Sequence, residues 1–327
     1  MKRIINEREP KVLTSSSFIG VEKQGQLVNS FLGTLSEESQ SAYRADLKDF
    51  FQYTRMESNE KSAEWFVSQS HGNANFIALS YQNNLRARGL AAATINRRIA
   101  AIRSLVSFAN RVGLISWKLD IGNVKHQAYK DVSGLASETF ELILDAARHQ
   151  ENAAKAVRDV AILLLMHDLG LRRKEVIGLG YPPDIDIQRA EIKILGKART
   201  EKESLSVPTD TLSSLIEWMK VRGEWEGPAF VSFRKSAMTK RPLSKRGLNH
   251  LIEQLGVMVG IKLHPHQLRH TAINAAVEAA TANNIPIDEV LQYSRHKDIQ
   301  TLLVYRDKQK NMQGEIATLV SQSRNKE

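Results

Sequence analysis

Seven consecutive apolar residues, Val160 to Met166, directly after Arg158 and Asp159, constrain this chain more than any other stretch. A helix built from them is apolar all round, so other elements must cover it on every side. Spanning a bilayer takes about 20 such residues, so the run reads as a buried core helix and not as a membrane span. At 327 residues the chain is also about twice the length of an ordinary domain, which predicts a second core elsewhere.

Residues 1–20 are polar, with a run from Thr14 to Ser17, and read as a flexible leader. From 21 to 116 the period is helical. Tyr43, Leu47, Phe50 and Phe51 share one face behind Ser36 as a cap, and Ile95, Ile99, Ile102, Leu105, Val106 and Ala109 share another that Gly113 closes. Residues 117–134 keep no period and carry Gly122 and Gly134, which predicts a linker. A new helical unit opens near Ser137 and begins a second domain over 135–327. Within it Glu191 to Leu195 and Ser204 to Val207 alternate around Gly196 to Lys202, so a β-hairpin with a basic tip is expected. Helical pattern returns over Leu212 to Val221 and over Ser244 to Leu255, where Ser244 is the cap. The expected fold class is mainly α with a small β-sheet: a helical N-terminal domain followed by a mixed α/β domain.

Lys and Arg exceed Asp and Glu by 10, and a pI near 9.6 points to a polyanionic partner, foremost nucleic acid. The cations are spread along the chain without an amphipathic basic helix or a lipidation signal, which disfavours a membrane surface. Arg97, Arg98 and Arg103 stand off the apolar stripe of their helix and are read as DNA-facing. Arg199, Lys202, Arg241, Lys245 and Arg246 are the matching candidates in the second domain. The chain has no cysteine, which excludes disulfides and thiolate metal sites and fits a reducing compartment. Met1 to Pro10 holds no signal-peptide core, so a cytoplasmic location is expected.

Displacement at a phosphodiester needs a nucleophile, cations for the non-bridging oxygens, and an acid for the departing alkoxide. The chain offers all three. Arg172 and Arg269 have the planar fork that grips two phosphate oxygens. His266 lies three residues before Arg269, on the same helical face. His296 precedes Tyr305 by nine residues. A phenol has a pKa of about 10 and needs a base, for which His266 is the candidate. Lys197 on the hairpin is assigned as the acid, with Lys202 the alternative. His264, His266 and His270 do not read as a metal cluster, because no carboxylate or thiol completes the set and Arg269 stands among them. No metal and no cofactor are expected.

These residues resemble the motifs of the tyrosine recombinase, or phage integrase, family. Leu169-Gly-Leu-Arg172-Arg-Lys-Glu175 is similar to its first arginine box, Gly196-Lys197 to its hairpin lysine, His266-Gln-Leu-Arg269-His270-Thr271 to its second box, and His296 through Tyr305 to its terminal box. Two positions depart from the pattern: Ser294-Arg295 stands where Leu-Gly usually precedes the terminal histidine, and Lys174 replaces a small residue. Residues 25–115 resemble the family's helical, SAM-like core-binding domain, and 135–327 its catalytic domain.

The resemblance implies that Arg172, Lys197, His266, Arg269 and His296 surround a scissile phosphate and that Tyr305 forms a 3′-phosphotyrosine bond. Glu175 and His270 would support them from behind. The implied partner is double-stranded DNA with specific recombination sites, bound as a homo-oligomer, a dimer on one site and a tetramer in synapsis, with room for accessory proteins. Xer-like, integron-type and transposon-type recombinases all fit. A type IB topoisomerase and a DNA-binding protein without catalysis are the alternatives. Against the former, Met312, Ile316, Leu319 and Val320 in the tail over 311–327 form an apolar stripe suited to a neighbouring subunit. Strand cleavage is expected to run in EDTA and without ATP, since protein cations hold the phosphate and the phosphotyrosine conserves the bond. A strict Mg²⁺ requirement in a cleavage assay would contradict this.

Overall fold

The computed structural model describes residues 26–56, 60–125, 134–196, 199–296, 298–309 and 312–324. The expected leader lies outside them. The chain divides into two compact units, Met1–Tyr129 and Lys130–Glu327.

The first unit is helical: α1 (Leu27–Gly33), α2 (Glu37–Tyr53), α3 (Glu60–Val67), α4 (His71–Ala87) and α5 (Ala92–Arg111). The stripe of Ile95, Ile99, Ile102, Leu105, Val106 and Ala109 is buried, and it meets Leu47, Phe50 and Phe51 of α2 and Phe66 of α3 in one core. Phe50 packs edge-on against Phe66 and Tyr81. Ser70 caps α4 by accepting from the Asn73 N–H, and Gly113 ends α5 in the left-handed region at φ 77°.

Arg97, Arg98 and Arg103, the candidate DNA-facing residues of α5, are each engaged within their own unit, while the Arg97 side chain stays 46% exposed. Arg97 pairs with buried Asp46, Arg98 bridges Asp46 and Asp49, and Arg103 donates to the Ile121 carbonyl. Of the expected linker, residues 117–125 are tied to the helical core, and 126–133 lie outside the described residues. Leu119 and Ile121 are buried in the helical core, Gln82 donates to the Gly122 carbonyl, and Asn96 bonds both the N–H and the C=O of Val124. Short-range periodicity misses such a segment because it has no regular secondary structure and is held by side chains distant in sequence.

In the second unit, α6 (Ser137–Arg148), α7 (Ala153–Asp168) and α8 (Arg173–Ile177) are followed by β1 (Gly180–Tyr181), β2 (Ile185–Asp186), β3 (Glu191–Leu195) and β4 (Lys202–Ser206). Then come α9 (Thr209–Arg222), β5 (Gly227–Pro228), β6 (Val231–Arg234), β7 (Ala237–Pro242), α10 (Lys245–Met258), α11 (Pro265–Ala282), α12 (Ile287–Ser294), α13 (Ile299–Gln309) and α14 (Met312–Arg324). As the apolar run requires, α7 is the central helix, packed by α6, α8, α9 and α11. Arg158 on it is buried, pairs with Asp159 and donates to the Val231 carbonyl of β6.

The small β component expected is present, and among the described residues it forms three antiparallel sheets: β1 with β5, β2-β3-β4, and β6 with β7. In the expected hairpin, Leu195 pairs with Lys202 and Glu191 with Ser206, so Lys202 is a strand residue and not part of the tip. Its ammonium is paired with Asp184. No helix among the described residues is long and apolar enough to cross a membrane.

Asp49 accepts from Tyr81, Arg88 and Arg98. Burial alone would push its carboxyl up, but the hydrogen bonds from Arg88 and Tyr81 and the nearby guanidinium charges outweigh that and hold it at about 2, below the ordinary 3.8. A depressed carboxyl stabilises the fold above the unfolded-state value and loses that contribution as pH falls toward the folded one. Asp49→Asn is therefore expected to remove about 2 kcal/mol of stability at pH 7, and less as pH drops from 4 toward 2. Urea denaturation of both proteins across that range measures it.

Candidate active site

The turn between α7 and α8 begins the site. Gly170 takes φ 55°, a left-handed conformation that bends the chain and turns its carbonyl inward. Arg172 follows in extended backbone as the cap of α8. Glu175 accepts from the Arg172 backbone N–H at 2.8 Å and from its guanidinium at 2.7 Å, and its own side chain is 2% exposed. The remaining end of the guanidinium donates to the Arg295 carbonyl at 3.2 Å.

The second box starts α11. Gly256 lets the chain return from α10, since a Cβ there would come within 2.6 Å of the Leu263 side chain. Pro265 then occupies the first turn of α11 and Gln267 accepts from the His264 N–H at 2.9 Å. Arg269 is almost fully buried and donates to the carbonyls of Gly170 and Ser294, which ties α11 to the first box and to the end of α12. Burial, Arg172 and Arg295 draw its pKa down to about 10, so it stays a cation at neutral pH.

Tyr305 on α13 is 3% exposed, and its hydroxyl lies 2.6 Å from His270 Nδ1. His270, read as a support, touches the phenol, whereas His266, read as the base, stands one ring further out. The His266 and His270 centroids are 4.4 Å apart, edge to face. Partial burial and the charges of Arg269 and Arg172 lower the His266 pKa, which keeps the ring neutral at pH 7. His296 stacks beside Tyr305 with centroids 6.3 Å apart. Burial raises the Tyr305 pKa and Arg269 opposes the rise, so the phenol is protonated at rest.

The fold thus gathers Arg172 and Glu175 at the start of α8, His266, Arg269 and His270 on α11, His296 after α12 and Tyr305 on α13, four separate segments. Lys197 lies outside the described residues. Lys202, its alternative, begins β4 opposite Leu195 and is engaged by Asp184. Arg199 pairs with Glu203 at 3.2 Å; Arg241 and Arg246 are exposed, and Lys245 begins α10 half-buried. One member escaped the sequence reading. Arg295 points into the site with its side chain 6% exposed, and the departure at Ser294-Arg295 was its only signal.

Residues 134–312 match the model of the phage integrase family, and residues 31–113 match that of the phage integrase N-terminal SAM-like domain. A tyrosine recombinase of Synechocystis sp. is 31% identical over 88% of this chain and 91% of its own length. One of Synechococcus elongatus is 32% identical over 86% of this chain and 88% of its own. The solved structure of the Tn1549 transposon integrase in complex with transposon right end DNA shares the fold, with TM-score 0.63 at 15% identity over 86% of this chain and 93% of that one. The chain belongs to the phage integrase family of tyrosine recombinases, and its activity is the breakage and rejoining of DNA strands.

Replacing Arg172 or Arg269 with Lys is expected to slow single-turnover strand cleavage on the order of 10²-fold, because a point charge does not reproduce a bidentate fork. Normal rates for both variants would place the phosphate elsewhere.

Proposed function

We propose that this chain is a site-specific recombinase in which Tyr305 attacks the scissile phosphate of double-stranded DNA while Arg172 and Arg269 hold the non-bridging oxygens. The observation that carries the reading is the Tyr305 hydroxyl in contact with His270 beside the buried Arg269. The phenol starts protonated, and His270 is placed to accept its proton as the bond from oxygen to phosphorus forms. The bond from phosphorus to the 5′-oxygen breaks, that oxygen takes a proton from Lys197, and the DNA 3′ end remains on Tyr305. A 5′-hydroxyl attacking the phosphotyrosine reverses the step without ATP. His266 and His296 supply further donors around the phosphate.

Recombination as an oligomer is favoured over lone nicking and resealing by a complementary pair of features on the second unit. Ile316 and Val320, one turn apart on α14, are 52% and 56% exposed. A groove of about 520 Å³ between α11 and α12 is lined by Ala272, Ala275, Ala276, Ala279 and Val290. Seating the stripe of one copy in the groove of the next gives a head-to-tail contact, the kind that closes into rings. The side chains of Met312 and Leu319, also assigned to the stripe, lie outside the described ones.

Tyr305→Phe is expected to abolish covalent trapping on a nicked suicide substrate and to leave DNA affinity nearly intact; a covalent complex of the Phe variant would remove Tyr305 from its role. Truncation after Gln309 is expected to spare single-site cleavage and impair recombination, read by gel shift and a two-site assay. Full recombination without the tail would eliminate the docking.

A further inference from the structure

We infer that Arg295 is a positioning residue of the cleavage site: its guanidinium offsets Glu175 and braces the Leu169–Gly170 turn, so that Arg172 stays oriented and available for the phosphate. The inference rests on the roles proposed above for Arg172 and Tyr305.

Arg295 occupies its place at a double cost. As the residue that ends α12 it sits at φ 52°, ψ 35°, a left-handed conformation in which glycine is comfortable and a side chain is not. Its charged side chain is also nearly buried, at 6% exposure, and burial lowers its pKa first of all. A turn alone asks for neither feature.

What the side chain does there is specific. One terminal nitrogen donates to the carbonyls of Leu169 at 3.0 Å and Tyr293 at 3.1 Å. The other donates to the Gly170 carbonyl at 3.0 Å and to Glu175 Oε2 at 3.2 Å. That carboxylate oxygen also accepts from the Arg172 N–H, and the Arg295 carbonyl accepts from the Arg172 guanidinium. Arg295 therefore holds Arg172 from both sides, through Glu175 by its side chain and directly by its backbone.

Charge points the same way. Arg172, Arg269 and Arg295 face Glu175 and, 3.9 Å from Arg295 Nε, Glu203. With Glu203 also paired to Arg199 at 3.2 Å, the cluster keeps a net positive charge to receive a phosphodiester. Without Arg295 that charge falls by one, and among the described residues Arg172 is the cation left in direct contact with Glu175. With both terminal nitrogens committed inward, Arg295 acts through Arg172 and not on the phosphate itself.

The test uses the full-length protein and single-turnover cleavage of a suicide substrate. Arg295→Gly suits the φ of the turn, so a residue serving the turn alone would be replaced without loss. We expect instead cleavage slower by about 10-fold or more with DNA affinity little changed. Combined with Arg172→Lys, it should be no slower than Arg172→Lys alone, because the two changes disable one group. A 5′-bridging sulfur leaving group should not restore the rate, since protonation of the departing oxygen is not what is lost.

A normal rate for Arg295→Gly, an additive loss in the double variant, or rescue by sulfur would each overturn the inference. If Arg295→Gly fails to fold by circular dichroism, Arg295→Lys carries the same comparisons: it keeps the charge and the backbone strain but not the fork. A slowed Lys variant that is non-additive with Arg172→Lys supports the assignment, and a normal one overturns it. A normal Arg172→Lys enzyme would overturn the site reading itself, whereas a crippled one beside a normal Arg295→Gly would overturn only the role of Arg295.

Discussion

The contact between Glu175 and two guanidiniums is the interaction on which the second unit's site depends. Arg172, Arg269 and Arg295 converge around the carbonyl of Gly170 and the end of α12, where burial alone would drive like charges apart. A carboxylate 2% exposed, accepting from Arg172 and Arg295 and from a backbone N–H, makes that convergence tolerable. Backbone carbonyls of Leu169, Gly170, Tyr293 and Ser294 absorb the remaining donors. The arrangement keeps a net positive charge, and the pKa of Arg269 is depressed first by burial and then by the charges of Arg172 and Arg295.

Such a site meets charge development with dipoles and cations already in place, so little reorganisation accompanies reaction. The phenol is the complement of that design. Burial keeps Tyr305 protonated, and contact with His270 gives its proton a destination. In the proposed reaction this neutral phenol beside a cationic pocket is the nucleophile.

The first unit teaches a different lesson about charge. Asp46 and Asp49 draw Arg97, Arg98 and Arg88 into paired contacts, so arginines that stand off an apolar stripe in sequence already have carboxylate partners within their own unit. A net charge of +10 describes the whole chain and says little about which cations are available. Availability depends on carboxylates approximately 40 to 50 residues away in sequence, as in the Arg97–Asp46 and Arg88–Asp49 pairs.

Local pattern was enough to determine the buried α7, the stripe of α5, the Ser244 cap and the β3–β4 hairpin, because each is set by neighbours within a few residues. Motif order was likewise enough to mark Arg172, His266, Arg269, His296 and Tyr305 as one constellation and to place the chain in its family. Tertiary structure alone decided that His270 and not His266 meets the phenol, that residues 117–125 belong to the helical core, that Lys202 answers to Asp184, and that Arg295 enters the site from a left-handed turn. Each of those depends on groups brought together by the packing of whole elements, and a one-dimensional pattern carries no record of which helix end will face which carbonyl.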